Sequence, residues 1–201
     1  MASCNFVSRG GDKLQAALDR FNIDVVEKVA LDVGSSTGGF VDCLLQKGAA
    51  KVYAVDTAYG EFAWKLRNDP RVVVMERTNI LHLESLPEQV DLITIDAGWT
   101  KLELILPIVQ KFLKPDGRII ALLKPHYEAN QRDLVKGVLP PEIAEEVRKQ
   151  ASEKFESLYF KVEDVMESPI LGGAGNKEYL LSLLFLKKDQ IDEGQDSHRV
   201  N

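Results

Sequence analysis

Long apolar runs are missing from this sequence. No stretch approaches the roughly 18 uninterrupted apolar residues that cross a bilayer as a helix, and the opening MASCNFVSRGGDK has no apolar signal-peptide core. Nor is there a basic amphipathic helix of the kind that lies on a membrane surface, so no membrane partner is expected. Cysteine is scarce. Cys4 and Cys43 are the only two, which excludes a disulfide framework and makes a reduced, cytoplasmic setting the expectation. No internal repeat and no linker divides the 201 residues, so one domain over 1–188 is expected, followed by a short tail. No metal site is expected.

An excess of positive charge is missing too. Twenty-five Lys and Arg against 31 Asp and Glu give a formal charge of −6. Half of it belongs to the tail 189–201, where Asp189, Asp192, Glu193 and Asp196 face only Arg199. That tail is polar, lacks periodicity and reads as disordered. RNA binding depends on where cations cluster and not on their sum, so the body at about −3 remains compatible with an RNA partner.

What the chain does have is an alternation of helical and extended patterns. Residues 10–21 place Leu14, Ala17, Leu18 and Phe21 at helical spacing. Short apolar runs at 28–34, 51–57, 71–76, 90–98 and 117–125 read as buried strands. Helical patterns at 39–48, 61–69 and 101–114 connect them, with Pro107 as a blemish in the third. Strands joined by helices in this way give a parallel sheet covered on both faces. A polar loop (126–140) leads to a helix over 140–156. The runs 157–167 and 178–187 are the last strands. The segment between them, SPILGGAGNK, is too short for a crossover helix, so they are read as antiparallel neighbours. Five parallel strands followed by a helix and an antiparallel pair are the layout of class I methyltransferases: a Rossmann-like α/β sheet of order 3-2-1-4-5-7-6.

The turn after the first strand, LDVGSSTGGF (31–40), carries the first chemical signal. In open parallel sheets the ligand lies beyond the carboxyl ends of the strands. Glycine lets backbone approach it, and the following helix start offers free N–H groups. The run is not a phosphate-cradling P-loop, since Phe40 stands where a cation is needed. It also lacks the second glycine of the dinucleotide fingerprint. Asp56, 18 residues past Gly38 at the end of the second strand, can accept from both hydroxyls of an adenosine ribose. D-x-G-x-x-x-G-G with a strand-end Asp fits S-adenosylmethionine at least as well as NAD, and the seven-strand layout favours the former. Gly34, Ser36, Thr37, Gly38, Gly39 and Phe40 are therefore expected at the cofactor, with Asn79 after strand three as a partner for the adenine edge. Asp96 is a further candidate, facing the methionine amino group.

The segments VSRGGDKL, ALDVGSSTGGFVDCLLQKGA, VYAVD, AWKLRNDPRV, ERTN, LITID, LLKP and GNKEYLL, spread over residues 7 to about 186, resemble the TlyA/hemolysin-A branch of the FtsJ-type ribose 2′-O-methyltransferases. The resemblance implies S-adenosylmethionine, an RNA substrate that is usually ribosomal, and a Lys-Asp-Lys-Glu catalytic set. These four fall on Lys13 of SRGGDKL, Asp96 of TIDAG, Lys124 of LLKP and Glu178 of GNKEYLL. Topology supports three of them independently: a strand antiparallel to strand five begins where strand five ends, so Glu178 and Lys124 share a rim with Asp96 one strand away. Lys13 rests on the resemblance alone.

The chemistry asks for such groups. A ribose hydroxyl is a poor nucleophile at neutral pH, and methyl transfer needs oxygen, carbon and sulfur in line. Lys124 is the candidate to activate the hydroxyl, either as a base with lowered pKa or as an ammonium stabilising the developing alkoxide. Asp96 and Glu178 would orient the lysines, and Lys13 would steady ribose or phosphate.

The chain also departs from the family. An S4-type RNA-binding domain commonly precedes VSRGG, and its absence is read here because the chain starts almost at that motif. The family's SF pair after the aspartate is AGWTK, where Trp99 can stack on a base or pack on the sheet. KPHYEANQR resembles the family's KPQFEAGR, with Arg132 and Lys136 able to touch phosphate. Three other readings stand beside the enzyme: a non-catalytic RNA- and cofactor-binding module, a membrane-lysing protein as the hemolysin label suggests, and a nicotinamide oxidoreductase.

Overall fold

The computed structural model describes residues 5–186 of the chain. The acidic tail, the assigned domain limits and Cys4 lie outside them. Seven strands share one sheet: β1 (Val29–Val33), β2 (Lys51–Val55), β3 (Val72–Met75), β4 (Val90–Ile95), β5 (Leu113–Leu123), β6 (Phe160–Glu167) and β7 (Tyr179–Phe185), in the order β3-β2-β1-β4-β5-β7-β6. β1 to β5 run parallel, and β7 is antiparallel to both β5 and β6. The expected order and the expected reversal are both present.

Alternation along the strands feeds two cores. On one face Leu31, Val33, Ile93, Ile95, Ile119 and Ala121 meet α4 (Leu102–Val109) and α6 (Pro141–Ser157) through Ile105, Leu106, Val109 and Phe155. On the other, Ala30, Leu92, Ile120 and Leu122 meet α1 (Gly10–Phe21) and α2 (Gly39–Gln46) through Leu14, Ala17, Val41 and Leu44. Central strands covered on both faces read as continuous apolar runs. Cys43, on α2, belongs to the second core, where burial pushes its thiol up to about 12 and leaves it unreactive.

Three segments differ from their sequence reading. The helix expected over 61–69 shrinks to α3 (Trp64–Arg67). Residues 62 and 63 anchor the glycine turn instead: the Phe62 ring lies against Gly38, and the Ala63 N–H donates to Thr37 O at 3.1 Å. The helix expected to reach 114 stops at Val109, two residues after Pro107, and continues as one 3-10 turn over Gln110–Phe112. β5 then starts at Leu113, four residues early, because a register shift against β4 absorbs residues 114–117. Finally, the polar loop holds a short helix, α5 (Pro125–Glu128), and a 3-10 turn over Gln131–Asp133.

Candidate active site

The carboxyl ends of β1, β2, β4 and β5 open into two clefts of about 320 and 380 Å³ that share Gly34, Ser36, Asp96 and Lys124. They form the halves of one groove, in the size range of small-molecule sites. One half contains Asp56, Thr78 and Asn79. The other contains Lys13, Thr37, Phe40, His126 and Glu178.

The floor between them is the turn after β1. Gly34 has φ +84°, and a Cβ there would lie 2.5 Å from the carbonyl oxygen of Asp96, so only glycine lets the β1 and β4 ends come together. Ser36 has φ +46°, and its N–H donates to Asp56 Oδ2 at 2.6 Å. The Ala58 N–H donates to Asp56 Oδ1 at 2.8 Å. Each oxygen of Asp56 thus takes one backbone proton and keeps a lone pair for another donor, such as a ribose hydroxyl.

The catalytic candidates form two ion pairs, Lys13–Glu178 in the second half and Lys124–Asp96 on the boundary that both halves share. Lys124, next after β5, places its Nζ 2.6 Å from Asp96 Oδ1 and 3.4 Å from the Ala97 carbonyl. Lys13 of α1 donates to Glu178 Oε2 at 2.5 Å across 165 positions of sequence. Glu178 is buried (3 % exposed), and its approach is open because Gly172 has no side chain. The loop that carries Gly172 is held by buried Asn176. Its Oδ1 accepts from Leu139 N–H, and its amide donates to the Gly137 and Gly173 carbonyls. The structure thus seats Lys13, which topology alone did not.

Other candidates divide. Ser36 and Thr37 line the groove, as do Gly39 and Phe40. Gly39 is also where α1 docks: a Cβ there would collide with Ser8 Oγ. Gly38 lines neither half, and its φ of +99° serves the turn under Phe62 and Leu66. Asn79 does line the adenosine-sized half, but its Oδ1 already accepts from Leu81 N–H at 3.0 Å as the cap of a 3-10 turn. Its turn role is therefore real, and its amide NH2 is the group left for a ligand. Trp99 does not pack on the sheet. It is 86 % exposed, in left-handed backbone (φ +65°), with its ring 5.1 Å from that of Tyr127.

Among the groove residues that sequence reasoning passed over are Ser8, Arg9, His126 and Tyr127. The first two sit in VSRGG, singled out only as a motif. The others follow Lys124–Pro125, where a proline at the first helical position turns the chain back over the rim.

Beneath the groove lies Asp32 on β1, fully buried. Thr94 Oγ1 donates to its Oδ1 at 2.6 Å, and its Oδ2 has no hydrogen-bond partner among the described residues. Burial, aided by the nearby carboxylates of Asp96 and Asp56, pushes the carboxyl up to about 7, against the hydrogen bonds from Thr94 and Ser35. No group of acidic, His or Cys side chains among the described residues could hold a metal ion.

A glycine turn after β1, an acid ending β2, an acid ending β4 and a sheet whose seventh strand reverses between β5 and β6 define a class I, S-adenosylmethionine-dependent methyltransferase. A family model described as FtsJ-like methyltransferase matches residues 6–185. Similar curated proteins include YqxC of Bacillus subtilis, 42 % identical over 199 residues that make up 95 % of this chain and 69 % of YqxC. The 16S/23S rRNA (cytidine-2′-O)-methyltransferase TlyA of Mycobacterium tuberculosis is 40 % identical over 182 residues, 89 % of this chain and 68 % of that one. A Lactococcus lactis protein named as a hemolysin has a solved structure that superposes with TM-score 0.87 at 39 % identity, over 92 % of this chain and 90 % of that one. The chain belongs to the FtsJ-like methyltransferase family.

The groove fits the donor that this family uses. Asp56 and the Asn79 amide would hold the adenosine, the Gly34–Thr37 turn the methionine end, and Asp96 the boundary between halves. Bound there, S-adenosylmethionine supplies an electrophilic methyl carbon.

Proposed function

We propose that this chain methylates a ribose 2′-hydroxyl of ribosomal RNA in the cytoplasm. The observation that carries the reading is the convergence of Lys13–Glu178 and Lys124–Asp96 on the half-groove that adjoins the donor half. Lys124, held by Asp96 at 2.6 Å, activates the hydroxyl, as the base that takes its proton or as the cation that stabilises the developing alkoxide. Lys13, held by buried Glu178, steadies the ribose or its phosphate.

The mouth of the cleft suits RNA. Arg9, Lys13 and Lys124 outnumber Asp96 and Glu178 along its wall. Exposed Trp99 and half-buried Tyr127 stand together at the rim, with Lys124 Nζ 5.8 Å from the Tyr127 ring centre, so a base extruded from its stack finds an aromatic face beside the lysine. The relative TlyA is named for cytidine 2′-O-methylation of 16S and 23S rRNA, the same reaction class. No helix of the described residues is long and apolar enough to cross a membrane.

The test is transfer of labelled methyl from S-adenosylmethionine to ribosomal RNA taken from cells lacking the protein, with ribose methylations mapped in total RNA with and without it. A site methylated only when the protein is present supports the reading. RNA binding without any missing methyl would instead establish the non-catalytic module.

A further inference from the structure

Glu178 reaches the cleft from the loop 168–177, which is closed by its own backbone. The Gly172 N–H donates to the Asn176 carbonyl at 2.9 Å, and the Gly175 and Asn176 N–H groups donate to Gly172 O and Gly173 O, both at 3.2 Å. The Ser168 N–H donates to Glu178 O at 2.8 Å and shuts the base of the loop. Leu171, Gly172 and Gly173 line the cleft, so the seat of this loop sets the shape of that wall. The segment beside it is equally fixed. Val135 and Val138 exchange N–H···O bonds of 2.8 and 3.0 Å around left-handed Lys136 and Gly137, a tight two-residue hairpin.

Among the described residues, the hydrogen bonds that join the loop to the hairpin segment are made by the Asn176 side chain alone. That side chain is buried. Its Oδ1 accepts from the Leu139 N–H at 2.9 Å, and its Nδ2 donates to Gly137 O and Gly173 O, both at 3.0 Å. An acceptor facing an N–H and a donor facing two carbonyls fix which way the amide points. Both amide protons are taken by backbone, so Asn176 has no donor left for a ligand and acts through what it holds. Resting on the methyltransferase reading above, we infer that Asn176 is a positioning residue for methyl transfer. By docking the loop on the hairpin it fixes the wall 171–173 and, two residues further on, the carboxylate of Glu178 against Lys13.

The bracket lies on the side of the groove away from the donor. Lys13 and Glu178 line the second half and not the first, and Gly137, Leu139 and Gly173 do not line the donor half either. Loss of the bracket therefore moves the acceptor wall without loosening the donor. The pair it serves has little slack. Lys13 Nζ and Glu178 Oε2 are 2.5 Å apart, and a shift of about 1 Å carries them to the edge of hydrogen-bond range. The partners also call for asparagine. Aspartate has the same shape and keeps an acceptor for the Leu139 N–H, but it sets a second oxygen against two carbonyl oxygens at the 3.0 Å now spanned by the amide.

The experiment measures single-turnover methyl transfer to unmethylated ribosomal RNA by wild type, Asn176→Asp and Asn176→Ala, each alone and combined with Glu178→Gln. Donor affinity by calorimetry and urea melts accompany the rates. The expected result is a fall in rate of about 10- to 100-fold in either single variant, the scale of a displacement of about 1 Å at the reacting atoms. Donor affinity should stay within about threefold. On the Glu178→Gln background the same change should lower the rate by less than about threefold, because the placement it provides is already lost there. A residue with a merely structural role would give losses that multiply. Asn176→Asp decides if Asn176→Ala does not fold. The inference is overturned by a rate within about threefold of wild type, by losses that multiply, by donor affinity falling in step with rate, or by failure of both variants to fold. Methyl transfer by wild type leaves the function standing in each of those cases. No transfer by wild type removes the function and the inference with it.

Discussion

A side chain on Gly172 would overlap the carboxylate of Glu178, its neighbour across the loop before β7. The loop thus supplies an empty place that lets a buried acid reach Lys13. Gly172→Ala should push Glu178 off Lys13 and lower methyl transfer about 10- to 100-fold, with donor affinity within about threefold because the donor half is untouched. Overpacking should also cost about 1–3 kcal/mol of stability. Kinetics, calorimetry and denaturant melts separate the three effects. Full activity in Gly172→Ala would show that the Lys13–Glu178 pair is dispensable.

In the proposed reaction Lys124 faces the attacking oxygen. Lys124→Ala should reduce the transfer rate about 10²- to 10³-fold, the scale seen when one preorganised donor is removed from a developing oxyanion. Asp96 and Lys124 both lie in the two halves of the groove, so charge and not position separates them. Asp96→Asn removes the negative charge proposed to face the methionine amino group and should lower rate and donor affinity together, whereas Lys124→Ala removes a cation proposed to face the attacking oxygen and should lower rate first. Single-turnover rates set beside calorimetric dissociation constants distinguish the two patterns.

Asp32 should reveal itself in the pH dependence of stability. Its folded-state pKa is raised from 3.8 to about 7, so the folded protein binds the extra proton and stability falls as pH rises between those values, levelling off above. The loss attributable to this group is at most roughly 4 kcal/mol. Asp32→Asn keeps the Thr94 hydrogen bond without the ionisation. The variant should gain on wild type as pH is raised from 4.5 to 7.5, read as the difference between their urea midpoints. A difference that stays constant over that range would show that Asp32 does not titrate there.

Trp99 has little to hold in place but much to offer. At 86 % exposure its removal should leave the melting temperature unchanged. Trp99→Ala should weaken RNA binding by about 1–3 kcal/mol if a base stacks on it, measured at one fixed salt concentration by filter binding. Equal affinities would assign the exposed ring to something other than RNA.

The strand pattern, the reversal before the last strand and the glycine turn after β1 were all written in local sequence. Short continuous apolar runs and turn residues act over distances of a few positions. Asp56 was legible as a strand-end acid, whereas Asp96, Lys124 and Glu178 were placed by the family resemblance, with strand ends that share one rim as support. Four matters were decided only by tertiary structure. Lys13 meets Glu178 because α1 docks through Gly39 and Ser8. Residues 61–63 leave the helix because Phe62 is needed under Gly38. Trp99 faces solvent, not the sheet. His126 lies in the cleft because Pro125 folds the chain back over it. Each depends on contacts between segments far apart in the chain, where burial and close packing override local propensity. Periodicity along the sequence cannot encode which distant surface will arrive opposite.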